Sequence, residues 1–262
     1  MAAMETDSHG GFAPPRNTKI LIGGDWHGNV GWMQVVLRQA ARDGFTMIVH
    51  VGDLAVLWPG EMKFTHRLAR LLDELGITMV FIDGNHDVHP KLRALPLNGA
   101  GFGIISDRLL YAPRGHRWMI GGLRFGALGG AYSIDRQWRV EGQSWWMGEE
   151  VIPADVERLG HDPLDVLITH EVPAGIDLVS EFDLPEFLER ESFISRQLVR
   201  EAVRNTTPRR VFSGHWHQSR TGLMPGMETR VHVLHKEFCP GNLASLDLES
   251  LAVERYHPVP AA

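Results

Sequence analysis

The segment ITMVFIDGNHD, residues 77–87, is an apolar run that breaks at Gly84 and then places Asn85, His86 and Asp87 side by side. A turn needs only a glycine and one Asn or Asp to reverse the chain. Three adjacent side chains able to bind a metal or move a proton exceed that need. The same pattern stands twice upstream. TKILIGGD, from Thr18, and TMIVHVGD, 46–53, are short β-type runs that also stop at Gly-Asp. Between them, residues 31–43 put Met33, Val36, Leu37 and Ala40 on one side of a helix. Residues 61–75 form an amphipathic helix that Gly76 stops. This β-α-β-α-β order predicts parallel strands joined by helical crossovers.

Downstream, RWMIGGLRFGALGG, 117–130, reads as a hairpin with Gly121-Gly122 at its turn. Residues 131–147 scatter Arg and Trp with no period. PLDVLITHEVP, 163–173, is a buried-type strand that runs into His170, and helical text returns over 186–204. RRVFSGHWH is a further strand that runs into two histidines, and RVHVLH, NLASLDLES and LAVERY read as closing strands. Two sheets packed face to face with helices outside are expected, with a doubly wound single sheet as the alternative.

The bulk numbers narrow the function. A chain of 262 residues, 44% hydrophobic and 22% charged, can build a substantial core. Its net charge of −6 argues against a broad nucleic-acid-binding surface. No apolar stretch approaches the roughly 18 residues of a membrane span. Cys239 is the only cysteine, so no intrachain disulfide forms and a cytoplasmic location is expected. Residues 1–17 lack an apolar signal core and read as a disordered leader.

Five apolar strands end in GDWH (24–27), GD (52–53), GNHD (84–87), TH (169–170) and GHWH (214–217). Ligands of open α/β sheets bind outside the carboxyl ends of strands, so these segments are expected to converge. Asp, Asn and His are the donors suited to Mn, Fe, Zn or Ni. His50, inside a strand, is expected to be a core histidine. For His66, His116, His161, His232, His235 and His257, packing or surface roles suffice.

The ordered set D-x-H, GD, GNHD, strand-end His and GH-x-H resembles the signature of the calcineurin-like metallophosphoesterases. The resemblance covers residues 18–257, read as one metallophosphoesterase domain. It implies an α/β fold, a two-sheet β-sandwich flanked by helices, with a dinuclear metal site at the strand C-terminal ends. It further implies that Asp25, His27, Asp53 and His217 hold one metal, and Asp53, Asn85, His170 and His215 the second. Asp53 would bridge the two. Two divalent transition metals are expected, manganese first, with iron, zinc or nickel as alternatives.

Such a pair serves attack on a phosphate ester. His86 neighbours a ligand without being one, and is expected to stabilise or protonate the leaving oxygen. Asp87 is expected to orient the His86 ring and raise its pKa. Protein Ser/Thr phosphatases of the family carry GDxVDRG and GNHE, whereas this chain has GDLAVLWPG, with Val56 in place of the second Asp, and GNHD. A protein phosphatase is therefore disfavoured. Arg136, Trp138 and Arg139, with Trp145 and Trp146, offer guanidinium groups for phosphate and flat rings for a base. Trp26 and His89 flank the metal motifs and are expected to shape the pocket. The reading is a phosphodiesterase for small nucleotide esters such as 2′,3′- or 3′,5′-cyclic nucleotides. A phosphomonoesterase, a nuclease and a non-catalytic interaction scaffold are the alternatives.

Overall fold

The computed structural model describes Phe12 and residues 18–60, 62–179 and 183–258. Strands β1 (Lys19–Gly23), β2 (Met47–His50) and β3 (Thr78–Phe81) are parallel, and helices α1 (Val30–Arg42) and α2 (Met62–Leu75) connect them. A short helix, α3 (His89–Arg93), leads to β4 (Gly103–Ser106) and β5 (Leu109–Tyr111). Then come the hairpin β6 (Arg117–Ile120) and β7 (Leu123–Leu128), α4 (Pro153–Leu159), β8 (Val166–Thr169), α5 (Glu186–Thr206) and β9 (Arg210–Ser213). Strands β10 (Arg220–Leu223), β11 (Arg230–Val233), β12 (Leu243–Asp247) and β13 (Val253–Tyr256) close the chain.

The strands form two mixed sheets, β13-β12-β1-β2-β3-β5-β4 and β10-β11-β9-β8-β7-β6. Side-chain alternation explains why they stack. On β1, Ile20 and Ile22 join Val49, Phe125, Ile168 and Phe212 in the core between the sheets. Leu21 and Ile48 face the other way, onto Met33, Leu37 and Leu68 of α1 and α2. Leu167, Val211 and Val231 face outward onto Val199 and Val203 of α5. Each sheet is thus apolar on both faces, as strands covered by helices on one side and by a second sheet on the other must be. The doubly wound alternative is excluded.

The expected hairpin is present. Ile120 pairs with Leu123, and Gly121 and Gly122 between them have φ of 56° and 82°, the two left-handed positions of a type I′ turn. Helices α3 and α4 and strands β4, β5 and β10 were not expected. All are short, and RTGL of β10 is open to solvent along most of its length. The expected leader falls outside the described residues except at Phe12, which is not free. It bridges to Ile120 and is 5% exposed against the ring of Phe102.

A buried charge network fixes the end of β3. The Arg114 guanidinium meets Asp83 Oδ2 at 2.6 Å and Asp155 Oδ2 at 3.2 Å, and donates to the Glu149 carbonyl at 2.8 Å. Tyr111 Oη donates to the other Asp83 oxygen at 2.9 Å. Burial opposes the Asp83 charge, but Arg114 and His89 outweigh it and hold the carboxyl well below its ordinary range. Arg114→Leu would leave Asp83 buried and uncompensated, and should cost about 3–5 kcal/mol in urea unfolding. A change below ~1 kcal/mol would contradict that account.

Candidate metal centre

The five strand ends converge. Glycines make this possible: a Cβ on Gly84 would overlap Asp53 Oδ1, and one on Gly214 would overlap Asp25 Oδ1. The loops are tied directly, the His27 amide donating to the Asp53 carbonyl at 2.9 Å and the Gly214 amide to the His170 carbonyl at 3.0 Å. His27, Asp53, His215 and His217 all have left-handed backbones, with φ of 44°, 53°, 65° and 47°. Left-handed non-glycine residues are strained, and they cluster where surrounding structure holds side chains in place.

Donor atoms of Asp25, His27 and His217 lie within 4.8 Å of one another, as do those of Asp25, Asp53 and His170. His27 Nε2 is 3.5 Å from Asp53 Oδ2, and His217 Nε2 is 3.3 Å from Asp25 Oδ2. His170 Nε2 is 3.4 Å from Asp53 Oδ1 and 2.9 Å from Asn85 Oδ1. His215 Nδ1 reaches the same Asn85 oxygen at 2.9 Å. All seven expected ligands therefore face one another, and Asp53 lies between the two groups.

Supporting partners fix which ring nitrogen is free. His170 Nδ1 is 2.9 Å from the Val51 carbonyl, which can only accept, so Nε2 is left for the cluster. His27 Nδ1 is 2.9 Å from Glu237 Oε2, with the same result. Glu237 was not expected, because it arrives from the loop after β11, 210 positions away. Such carboxylate and carbonyl partners orient metal-binding histidines.

The cluster attracts positive charge. Burial opposes a charge on His27, yet Asp53 and Glu237 take its pKa up to about 11. Burial likewise opposes a charge on His170, and Asp53 with Asp25 takes it up to about 10. Asp25 Oδ1 is buried with no hydrogen-bond partner. An orphaned carboxylate oxygen among imidazoles suits a cation, since a buried charge requires a counter-charge.

The profile of the calcineurin-like phosphoesterase family matches residues 18–219. The chain belongs to this family. No curated protein sequence matches it. Solved structures do: one chain superposes with a TM-score of 0.61 at 16% identity, covering 92% of this chain and 99% of its own. TT1561 of Thermus thermophilus gives 0.56 at 14% identity, with 92% and 99% covered. A dimetal phosphatase from Danio rerio gives 0.56 at 10% identity, with 92% and 96% covered. These likenesses are of fold. The cluster fits the pair of divalent metals that calcineurin-like phosphoesterases usually bind.

His86 stands beside the cluster, and its backbone amide donates to Asp53 Oδ1 at 2.7 Å. Arg139 Nη2 is 2.9 Å from His86 Nδ1. A guanidinium only donates, so Nδ1 accepts and the ring proton sits on Nε2. Nε2 lies 3.9 Å from Asp135 Oδ2. Burial and the Arg139 charge lower the His86 pKa against the pull of Asp53. The expectation that Asp87 orients His86 is corrected. Asp87 Oδ2 accepts from the amides of Asp53 at 2.9 Å and Gly84 at 2.8 Å, and Oδ1 from Ala55 at 2.8 Å. It clamps two ligand loops together, and burial with the nearby Asp53 charge pushes its pKa up to about 7.

None of the five residues expected to contact substrate lines the grooves beside the cluster. Trp26 is fully buried, edge-on to His50. His89 is 1% exposed, 3.2 Å from Asp83. Arg136 covers Trp145 at 4.1 Å and faces Glu150 at 3.5 Å. Trp138 is 75% exposed and lines neither groove at the cluster. Trp145 and Trp146 pack the 131–147 segment down. Arg139 comes nearest, touching His86 without lining either groove, and is held by Ser133 Oγ at 2.7 Å and Glu149 at 3.2 Å. The indole rings that line the site are Trp216, between the two histidines of GHWH, and Trp58 in the second groove.

Proposed function

We propose that this calcineurin-like phosphoesterase hydrolyses small nucleotide phosphodiesters, with 2′,3′- and 3′,5′-cyclic nucleotides as the leading substrates. The observation that carries this reading is that His86 stands where two grooves meet. One, of about 280 Å³, has Ile134, Leu184 and Trp216 along its wall and Asp53, Asn85 and Asp135 at its polar end. The other, of about 370 Å³, has His27, Ala55 and Trp58. A linear diester can place one organic arm in each groove, and a cyclic nucleotide, whose two ester oxygens belong to one ribose, can lay its base along the Trp216 groove with the leaving oxygen facing His86.

Charge favours the same choice. No Lys or Arg is among the described residues that line either groove, and Asp135 adds a carboxylate beside His86. A dianionic monoester terminus would gain nothing there beyond the metals, while a diester brings one charge. Two divalent cations, manganese first among the candidates, would polarise the ester and activate a water. Asp25, His27, Asp53 and His217 would hold one, and Asp53, Asn85, His170 and His215 the other.

His86 presents Nε2–H toward the leaving oxygen, and Arg139 holds the ring in that orientation. Trp216 offers a flat apolar face for a base, with Arg196 5.2 Å over its ring. Among the described residues no helix is long and apolar enough to cross a membrane. A single catalytic domain over 18–257, acting in the cytoplasm, belongs to this reading. The manganese-loaded chain should cleave bis-p-nitrophenyl phosphate at least about tenfold more efficiently, in kcat/KM, than p-nitrophenyl phosphate. A reversed ratio would make it a phosphomonoesterase, and bound metal without turnover on either would favour a scaffold.

A further inference from the structure

The larger cavity is elsewhere. A recess of about 540 Å³ opens where the edges of the two sheets part, and it shares no lining residue with the metal cluster. Its size falls within the range of small-molecule sites. Arg210, Arg220 and Arg230 line it from β9, β10 and β11, and Arg255 from β13.

Register shows how three of these side chains come to face inward. Phe212 of β9 is in the core between the sheets, so Arg210, two residues away, is on the same face. Arg230 pairs with Arg210, and His232 with Phe212. On the other sheet, Arg255 pairs with Ala244, itself a residue of the inter-sheet core. Three inward strand positions that would ordinarily be apolar are therefore arginine, drawn from both sheets.

Among the described residues none of the four has a carboxylate within 4.0 Å, in a chain whose net charge is −6. Their hydrogen-bond partners among the described residues are neutral: Arg210 donates to the Leu251 and Arg209 carbonyls, and Arg220 to Gln218 Oε1. At the inner end His232 is 8% exposed and stacks on Phe212 at 5.1 Å, and its Nε2 has no hydrogen-bond partner. Arg210 is held below its ordinary pKa by burial and by the Arg230 and Arg209 charges. Four like charges in one recess repel one another, and the His232 Nε2 beside them is unpartnered while its Nδ1 lies 3.4 Å from Thr221 Oγ1.

Inward charges also protect sheet edges from pairing with other chains. That accounts for Arg255, because β13 is an edge strand, but not for Arg210 and Arg230 on the interior strands β9 and β11; Arg220 pairs with Val233 of the helix-facing side and lines the recess from the edge strand β10. The geometry points to a second ligand site in this recess, for a small polyanion carrying linked phosphates, held by Arg210, Arg220, Arg230 and Arg255. Guanidinium forks match phosphate oxygens in pairs, and a di- or triphosphate concentrates enough charge for four of them in this volume.

The test is calorimetric titration of inorganic tripolyphosphate, with magnesium in excess, into the full metal-loaded chain. Citrate serves as a carboxylate control. Arg230→Gln/Arg255→Gln changes two exposed side chains, and Asp53→Asn changes the metal cluster. One equivalent should bind, more tightly than citrate. The arginine pair should weaken it at least about tenfold, the loss of one charge-assisted contact, while Asp53→Asn leaves it unchanged. Absence of binding, tighter citrate, insensitivity to the arginine pair or loss in Asp53→Asn would each overturn the site. Self-association of the arginine variant without ligand binding would assign the cluster to edge protection instead.

Discussion

Asp53→Asn is expected to cost the chain both its bound metal and its turnover. The carboxylate is buried, faces His27 from one oxygen and His170 from the other, and lies between the two groups of donors. Burial opposes its charge, but His170 and His86 hold its pKa well below the ordinary range. Asparagine keeps an oxygen to accept from the His86 amide, so the loop geometry survives while the charge goes. The loss of activity should exceed the ~10²–10³-fold that follows removal of one charge-stabilising group. Metal analysis should find fewer than two equivalents per chain. Two retained equivalents with normal turnover would reject the bridging position.

His86→Ala separates binding from catalysis. The ring is not among the donors of the cluster, so bound metal should be unchanged. Its Nε2–H faces the groove because Arg139 occupies Nδ1, and a positioned hydrogen-bond donor to the developing charge on the leaving oxygen is worth about 10²–10³-fold. The loss should be largest on diesters with alkoxide leaving groups, and smaller on nitrophenyl esters, whose leaving group needs little help. Equal rates for wild type and variant on an alkyl diester would remove His86 from the mechanism.

The parts of this account that were legible in the sequence are those carried by local pattern. Strand, glycine and polar residue recur at four of the five strand ends, the fifth running straight into His170, and a strand reads the same wherever it pairs. The sandwich was expected from the run of strands and helices, with a doubly wound sheet as the alternative, and the family resemblance implied it. Interactions set by distant segments were not legible. Arg139 reaches His86 across 53 positions, and Glu237 reaches His27 across 210. Trp26 and Trp216 show the limit most clearly. Each stands between two ligand positions, yet one is buried against His50 and the other lines the groove. Asp87 misled for a related reason. Its neighbour in sequence is His86, but its partners are the amides of the loops it holds together.

The central claim is that the carboxylate and imidazole cluster is a two-metal phosphoesterase centre. It is tested most directly by stripping metal from the chain and adding Mn²⁺ back in steps while following bis-p-nitrophenyl phosphate cleavage. The account predicts no cleavage by the stripped chain, and activity that rises with added metal and saturates at two bound equivalents. Cleavage that persists in the stripped chain, or saturates before any metal is bound, would contradict it.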